Sequence, residues 1–544
     1  YEEVDTTTQK KYLFKNAPSS NPPTYTPTLS LNRKEPRKTL DNLVRILEKL
    51  REALGKNASG YQNIDSIIAS ISQNYQTVLS DISQKVDNIS NESIFLTIKI
   101  DGKYIGEIDY FIEAFKKVYL ESDRFKNSKG KSNCCICGEY KEVAGDISPY
   151  AFYTIDKPGY IVGGMRKEVS WKNFPLCMNC KVKLDNARIF VEENLEFNFT
   201  SFLSYYLIPE FLVEDENKVN SIIGNIMLQQ KQYDIETNFT RDQRGIERLL
   251  NEDDILVVNL LFLEKQQARE TIELLIQGIY PSRIKEIFEK RDSVNSQIKK
   301  YVLFPDGDEN DQKVKNYINS LNITTDNLVR FFGKSKDDFP FKNEFYRLIE
   351  NLFKGIKYDE RALLKIFMIF LKNMFIEDEG MNNFRFYVLS YYFSYVFIKL
   401  CTEGGDFMLN FEDLDKFLSS LIGLGDNDLK KAIFLTGVLA QRVLDYQEKE
   451  RGSKPFLSKL ANLNLTEKKV KRIFTQVKEK LESYDEFRPA DEIIYEKASE
   501  LFSKSSDSWG LSFDEISYYF ALGLGMKEKV YSIIFEFLKN RKED

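Results

Sequence analysis

The chain has 544 residues, with 77 Lys and Arg against 83 Asp and Glu for a formal net charge of −6. That length accommodates about three domains of ordinary size, and the mild acidity excludes a polycationic nucleic-acid coat while leaving room for local basic stripes. There is no histidine, which removes imidazole acid–base catalysis, His-containing triads and the histidine-bearing nuclease metal sites.

In chain order, residues 16–38 read as an extended lead, with Pro18, Pro22, Pro23, Pro27 and Pro36 each removing a backbone donor. Leu40, Leu43, Val44, Ile46, Leu47 and Leu50 then recur at helical spacing. Residues 94–110 alternate like a strand pair about Asp101-Gly102, and a cysteine-bearing module fills 131–190. A strand-like segment at 194–200 and an apolar stretch ending at Pro209 follow. The run Ile255 to Leu263 predicts a buried strand, and Ala268 to Gly278 an amphipathic helix ending at Gly278.

After about residue 340 strand signals stop, and a helical pattern runs to the C-terminus with breaks at Gly380, Gly404-Gly405, Gly425, Gly452 and Gly510. The expected fold is an α+β N-terminal region with an inserted four-cysteine module, followed by an all-α helical bundle. The expected divisions are 1–130, the module 131–190, the rest of the α+β region at 191–340, and the bundle at 341–544, which could fold alone. The longest uncharged apolar runs, Phe197 to Pro209 and Phe386 to Ile398, have 13 residues each, short of the ~20 a bilayer requires. Six cysteines in a chain this long favour a reducing compartment, so no membrane partner and a cytoplasmic setting are expected.

Cys134-x-x-Cys137 and Cys177-x-x-Cys180 form the strongest local pattern. Two such pairs can direct four thiolates to one tetrahedral zinc, leaving no open position and so a structural role. Cys135 is the spare, because ligand spacing favours the outer two of its group. The segment between the pairs interleaves Phe152, Tyr153, Tyr160 and Trp171 with Lys157, Arg166, Lys167 and Lys172. That mixture fits phosphates and unstacked bases, or else a solvated hairpin decorating the metal site.

Between Arg451 and Lys480 nine basic residues face two acidic ones, a local +7. In the helix predicted from Thr466, Val470, Ile473, Phe474, Val477 and Leu481 form one apolar stripe. Lys468 and Arg472 point away from it, and Lys469, Lys471, Lys478 and Lys480 flank it. This is a core-docked helix with an outward positive face, suited to nucleic acid or simply solvated.

Familiar enzyme patterns fail. Gly333-Lys334-Ser335 lacks the P-loop glycine, Leu328 standing in its place. Asp306-x-Asp308-x-Asn310 has Asp311 and Tyr317 where an EF-hand needs Gly and Glu.

The strings Cys134–Gly138, Phe152 to Tyr160 and Asn173-Phe174-Pro175-Leu176-Cys177-x-x-Cys180 resemble the large-subunit family of the type I-B CRISPR Cascade. The strand at 255–263, Ile279 to Ile284, and Phe434 to Gln441 leading into Lys454-Pro455-Phe456 fit the same family. The resemblance implies a non-catalytic subunit of a crRNA-guided complex. Such a subunit reads the protospacer-adjacent motif, binds target double-stranded DNA, steadies the displaced strand of the R-loop and recruits a helicase–nuclease. Its implied partners are crRNA and the backbone and handle-capping subunits. The bundle at 341–544 would then act like a Cascade small subunit, which gives the basic helix a role. Two readings from other classes stay open: a metal-dependent nuclease, disfavoured by the missing His and unpaired carboxylates, and a zinc-stabilised protein-interaction scaffold.

Overall fold

Pro36 opens the first long helix, α1 (Pro36–Leu54), where its missing N–H costs nothing. The extended lead therefore ends earlier than its prolines suggested. The computed structural model describes residues 9–13, 26–87, 94–120, 123–155, 166–212, 215–217, 219–224, 256–266, 269–377, 382–425, 427–505 and 508–543. The chain divides into two units, Tyr1–Arg188 and Ile189–Asp544.

In the first unit, α1 packs with α2 (Ser59–Gln73), α3 (Tyr75–Asp87) and α4 (Asp109–Leu120). The stripe Leu40, Leu43, Ile46, Leu47 and Leu50 is buried against Ile64, Ile105 and Phe111. Strands β1 (Leu29–Ser30) and β2 (Phe95–Leu96) pair antiparallel. Strands β3 (Lys99–Ile100) and β4 (Lys103–Tyr104) form the expected hairpin. Asp101 and Gly102 both take positive φ, +49° and +81°, as a two-residue turn of matching twist requires. A second ribbon, β5 (Lys129–Asn133) with β6 (Tyr140–Ala144), leads into the cysteine module, and α5 (Met178–Asn194) leads out of it.

The second unit is built on a four-stranded antiparallel sheet, ordered β10-β9-β8-β7. Its strands are β7 (Glu196–Thr200), β8 (Leu203–Phe211), β9 (Leu256–Gln266) and β10 (Arg269–Ile279). Leu207, Leu260 and Ile276 align across three strands and are all buried. The segment 268–278, expected as a helix, is the edge strand β10 within its described residues. Thr271, Ile272, Ile276 and Ile279 are β-branched, and a connection of two residues from β9 permits only a hairpin. Gly278 does not cap a helix. It sits in the irregular stretch between Ile276 and Ile279, at φ +68°, and its N–H donates to Asn259 Oδ1 at 2.9 Å.

After the sheet the chain turns helical from Pro281, and no strand follows Ile279 among the described residues. The long ones are α6 (Pro281–Leu303), α7 (Lys342–Lys354), α8 (Glu360–Glu377), α9 (Asn382–Glu403), α10 (Asp428–Arg451), α11 (Glu467–Ser483), α12 (Pro489–Ser503) and α13 (Phe513–Glu543). Gly404 and Gly452 follow the ends of α9 and α10 in the left-handed region, as the breaks in the pattern implied. One hydrophobic core runs from Leu195 to Ile534. Phe345 and Tyr346 of α7 meet Phe199 and Phe262 of the sheet with ring centroids 6.3 and 5.5 Å apart. A division at residue 341 therefore cuts through a shared core. Arg283, in the first turn of α6, donates to the carbonyls of Leu352 and Cys401 and so ties down the ends of α7 and α9. Cations are favoured at those helix ends.

Candidate metal centre and basic surfaces

The turn between β5 and β6 carries the first cysteine pair. Cys134 N–H donates to the Glu139 carbonyl at 2.9 Å, and Gly138 N–H returns to the Cys134 carbonyl at 2.9 Å. So tight a loop needs a left-handed residue, and Gly138 supplies it at φ +73°. Leu176 bridges Ala144 in both directions, which lays Pro175 and Cys177 beside this turn. Cys135 N–H then donates to the Pro175 carbonyl at 2.8 Å, and Cys177 N–H donates to Cys134 Sγ at 3.4 Å. Cys177 precedes α5 and Cys180 lies in its first turn, where the helix dipole favours negative sulfur.

The sulfurs of Cys134, Cys137, Cys177 and Cys180 consequently lie within 4.8 Å of one another, and those of Cys137 and Cys177 are 4.0 Å apart. A tetrahedron of metal–thiolate bonds near ~2.3 Å has edges of about 3.8 Å, so the four stand close to the spacing an ion requires. Phe125, Val143, Ile147 and Leu176 wall the cluster. Cys135 is exposed and outside the group.

Burial pushes the Cys134 thiol up, but the N–H groups of Cys137, Cys177 and Ile136 outweigh it and bring the thiol down to about 6. Burial lifts Cys180 to about 12 and raises Cys177. Four adjacent thiolates cannot form unaided, and a divalent cation at their centre resolves that conflict. The cluster can therefore hold a metal, with all four positions filled by protein.

The inserted segment is docked on the ribbon by two close approaches. A Cβ on Gly130 would run into the Trp171 ring, and one on Gly145 would overlap the Ser170 backbone. Arg166, Lys167 and Lys172 are exposed here, with Lys172 Nζ 5.4 Å from the Trp171 ring centroid. Lys157 lies outside the described residues.

The basic helix α11 forms with the expected faces. Thr466 caps it, and Val470, Ile473, Val477 and Leu481 are buried. Three of its cations are engaged within the unit. Lys469 donates to the Asn464 carbonyl at 2.8 Å, Lys471 pairs with Glu467 at 2.7 Å, and Lys478 stands 3.8 Å from Glu482 and 5.0 Å from the Tyr495 ring centroid. Lys468 and Arg472, four residues apart, are exposed and make no ion pair with a described residue. The cysteine cluster and this helix belong to different units. What sequence reasoning missed is the second layer of the metal site: the amides aimed at Cys134 and the glycines under Trp171 and Ser170. Gly138 directly after Cys137 was the available signal for the tight turn.

No helix among the described residues is long and apolar enough to cross a membrane. No curated protein matches the chain. Residues 1–117, 131–279 and 323–537 match, in that order, the N-terminal, central and C-terminal domain models of CRISPR-associated protein TM1802 (cas_TM1802). The central match takes in both cysteine pairs and the sheet, and the C-terminal match takes in α11. Three consecutive domains of one family, matched in order over most of the sequence, place this chain in the CRISPR-associated TM1802 family.

Proposed function

We infer that the chain is the non-catalytic large subunit of a type I-B crRNA-guided interference complex and works in the cytoplasm. In this role it binds target duplex and displaced strand beside crRNA and the backbone and handle-capping subunits, recognises the protospacer-adjacent motif, and offers a landing site to a helicase–nuclease. The four-cysteine cluster holds a structural zinc that fixes the inserted segment. The exposed cations of that segment and of α11 meet nucleic-acid backbone. When bound, zinc supplies folding energy and charge neutralisation, not a reaction centre.

The observation that carries this reading is the split face of α11 in a CRISPR-associated chain: its apolar stripe is buried while Lys468 and Arg472 stand exposed without an ion-pair partner among the described residues. Phosphate contact by such residues releases counterions, so affinity falls steeply with salt. The test compares wild type with Lys468→Glu/Arg472→Glu in binding single-stranded and duplex DNA at two salt concentrations. Weaker binding and a salt slope reduced by roughly two units support the reading. Equal slopes reject the basic-face assignment. Purification of the tagged chain from its native operon without crRNA or companion subunits rejects the complex.

A further inference from the structure

The helical unit contains a cavity of about 560 Å³ that the reading above does not use. Three segments far apart in sequence enclose it: the C-terminal half of α7 with the following loop and the start of α8, the first turn of α10, and the first turn of α13. Among the residues that line it, Arg347, Lys357 and Arg361 are exposed, and Glu360, Lys430 and Glu515 are half-buried. Among the described residues neither Arg347 nor Arg361 makes an ion pair, and Lys357 pairs only with Glu403, at 3.2 Å.

The interior is held by a network of its own. Glu360 accepts the Tyr395 hydroxyl at 2.6 Å and lies 3.5 Å from Lys399. Lys430 donates to the Tyr519 hydroxyl at 2.9 Å with the ring beneath it. Glu515 accepts the Ser512 N–H at 2.8 Å, which spends one of its oxygens at the start of α13. Asp359 at the rim accepts the N–H groups of Arg361 and Ala362. That carboxylate closes the end of α8, so the helix terminus is not the attraction; the side-chain cations are.

Guanidinium groups free of carboxylates match phosphate oxygens. Carboxylates with spare lone pairs match ribose hydroxyls or an exocyclic amine. A nucleotide offers both an anionic group for the exposed cations and hydrogen-bond donors for the half-buried carboxylates, and the volume lies within the usual range for small-molecule sites. We propose that this cavity binds a nucleotide, its phosphate on Arg347, Lys357 and Arg361 and its sugar or base donors on Glu360 and Glu515. Free nucleotide and the phosphorylated end of a strand share that chemistry.

The test uses the full-length chain. Calorimetry is run with adenosine 5′-monophosphate, adenosine, and a short oligonucleotide with and without a 5′-phosphate. Arg347→Gln/Arg361→Gln changes two exposed side chains and should leave the circular-dichroism melt unchanged. Binding of the monophosphate but not the nucleoside, weakened tenfold or more in the double variant, supports a free nucleotide. Binding confined to the 5′-phosphorylated oligonucleotide, with the same loss, supports a strand end. A Glu515→Gln change should weaken either without altering the phosphate requirement. Failure of every phosphorylated probe to bind, or binding indifferent to the two Arg changes, overturns the proposal. Assembly with crRNA and companion subunits is scored separately and is untouched by that result.

Discussion

Gly437 of α10 and Gly523 of α13 face each other where the two helices cross. A Cβ on Gly437 would stand 3.2 Å from the Gly523 Cα and overlap the Phe520 carbonyl oxygen, and one on Gly523 would overlap the Phe434 carbonyl oxygen. The obstruction is backbone on both sides, so neither helix can yield by a rotamer change. Either glycine to Ala should destabilise the second unit by about 3 kcal/mol, the upper part of the overpacking range. Gly224, whose Cβ would meet nothing within 4 Å, is the control and should tolerate Ala. Urea midpoints for the three variants check this; a small effect at Gly437 and Gly523 would mean that the helices do not cross so closely.

For the cysteine cluster, metal analysis of the purified chain should give about one zinc per molecule. Cys177→Ser/Cys180→Ser should abolish it and leave the segment between the two pairs open to protease. Cys135→Ser should retain both metal and resistance, because that thiol lies outside the four-sulfur group. A folded, protease-resistant double variant without metal would refute a structural ion.

Lys529 carries the clearest pH dependence. It is only 8% exposed on α13, donates to the Phe304 carbonyl and lies 4.7 Å from the Tyr301 ring centroid. Burial lowers it to about 8. An unfolded lysine titrates near ~10.4. The unfolded chain therefore binds more protons between these values, and stability contributed by this site rises with pH across the window. Below pH 8 the folded state bears the full cost of the buried charge, on the order of 3 kcal/mol before its hydrogen bond is counted. Lys529→Met should thus stabilise the protein at pH 7 by about 1–3 kcal/mol, with the gain gone near pH 10.5. Denaturant titrations of both proteins at the two pH values measure it; a constant difference would contradict the assignment.

The shared core predicts how the chain can be cut. A fragment covering residues 189–544 keeps the sheet with its helices and should unfold cooperatively. A fragment covering 345–544 loses Phe199, Phe262, Phe332 and Phe339, which pack on Phe345 and Tyr346. It should be aggregation-prone, or keep helical circular dichroism without a cooperative melt. A cooperative melt from the shorter fragment would show that the helices are self-sufficient.

Much of this was legible in the sequence because the signals were local. Two Cys-x-x-Cys pairs needed only spacing, and α11 needed only a 3.6-residue period with one-sided charge. The strand β10 was misread because Ile272, Leu275, Ile276 and Ile279 satisfy a helical spacing, and pairing with β9 settled the matter. Gly437 and Gly523 gave no signal, since a notch between helices exists only after both are in place. The cavity was equally invisible: Arg347, Lys430 and Glu515 are separated by most of the helical region, and nothing in their spacing brings them together. The shared core was hidden because Phe345 reads equally well as facing another helix or a sheet.

Arg283 also sets a timetable. Its two carbonyl partners lie 69 and 118 residues further along the chain, so during synthesis it emerges well before either. At ribosomal speeds of roughly 5–20 residues per second, the second partner follows after on the order of ten seconds. In that interval the sheet has been made while Leu260, Phe262 and Ile276 still lack the helices that cover them. A nascent chain in this state offers a bare apolar sheet to its neighbours, and slower elongation prolongs the exposure. Yield of folded protein should therefore follow the pace of translation between Arg283 and Cys401, where holding chaperones have the most to protect.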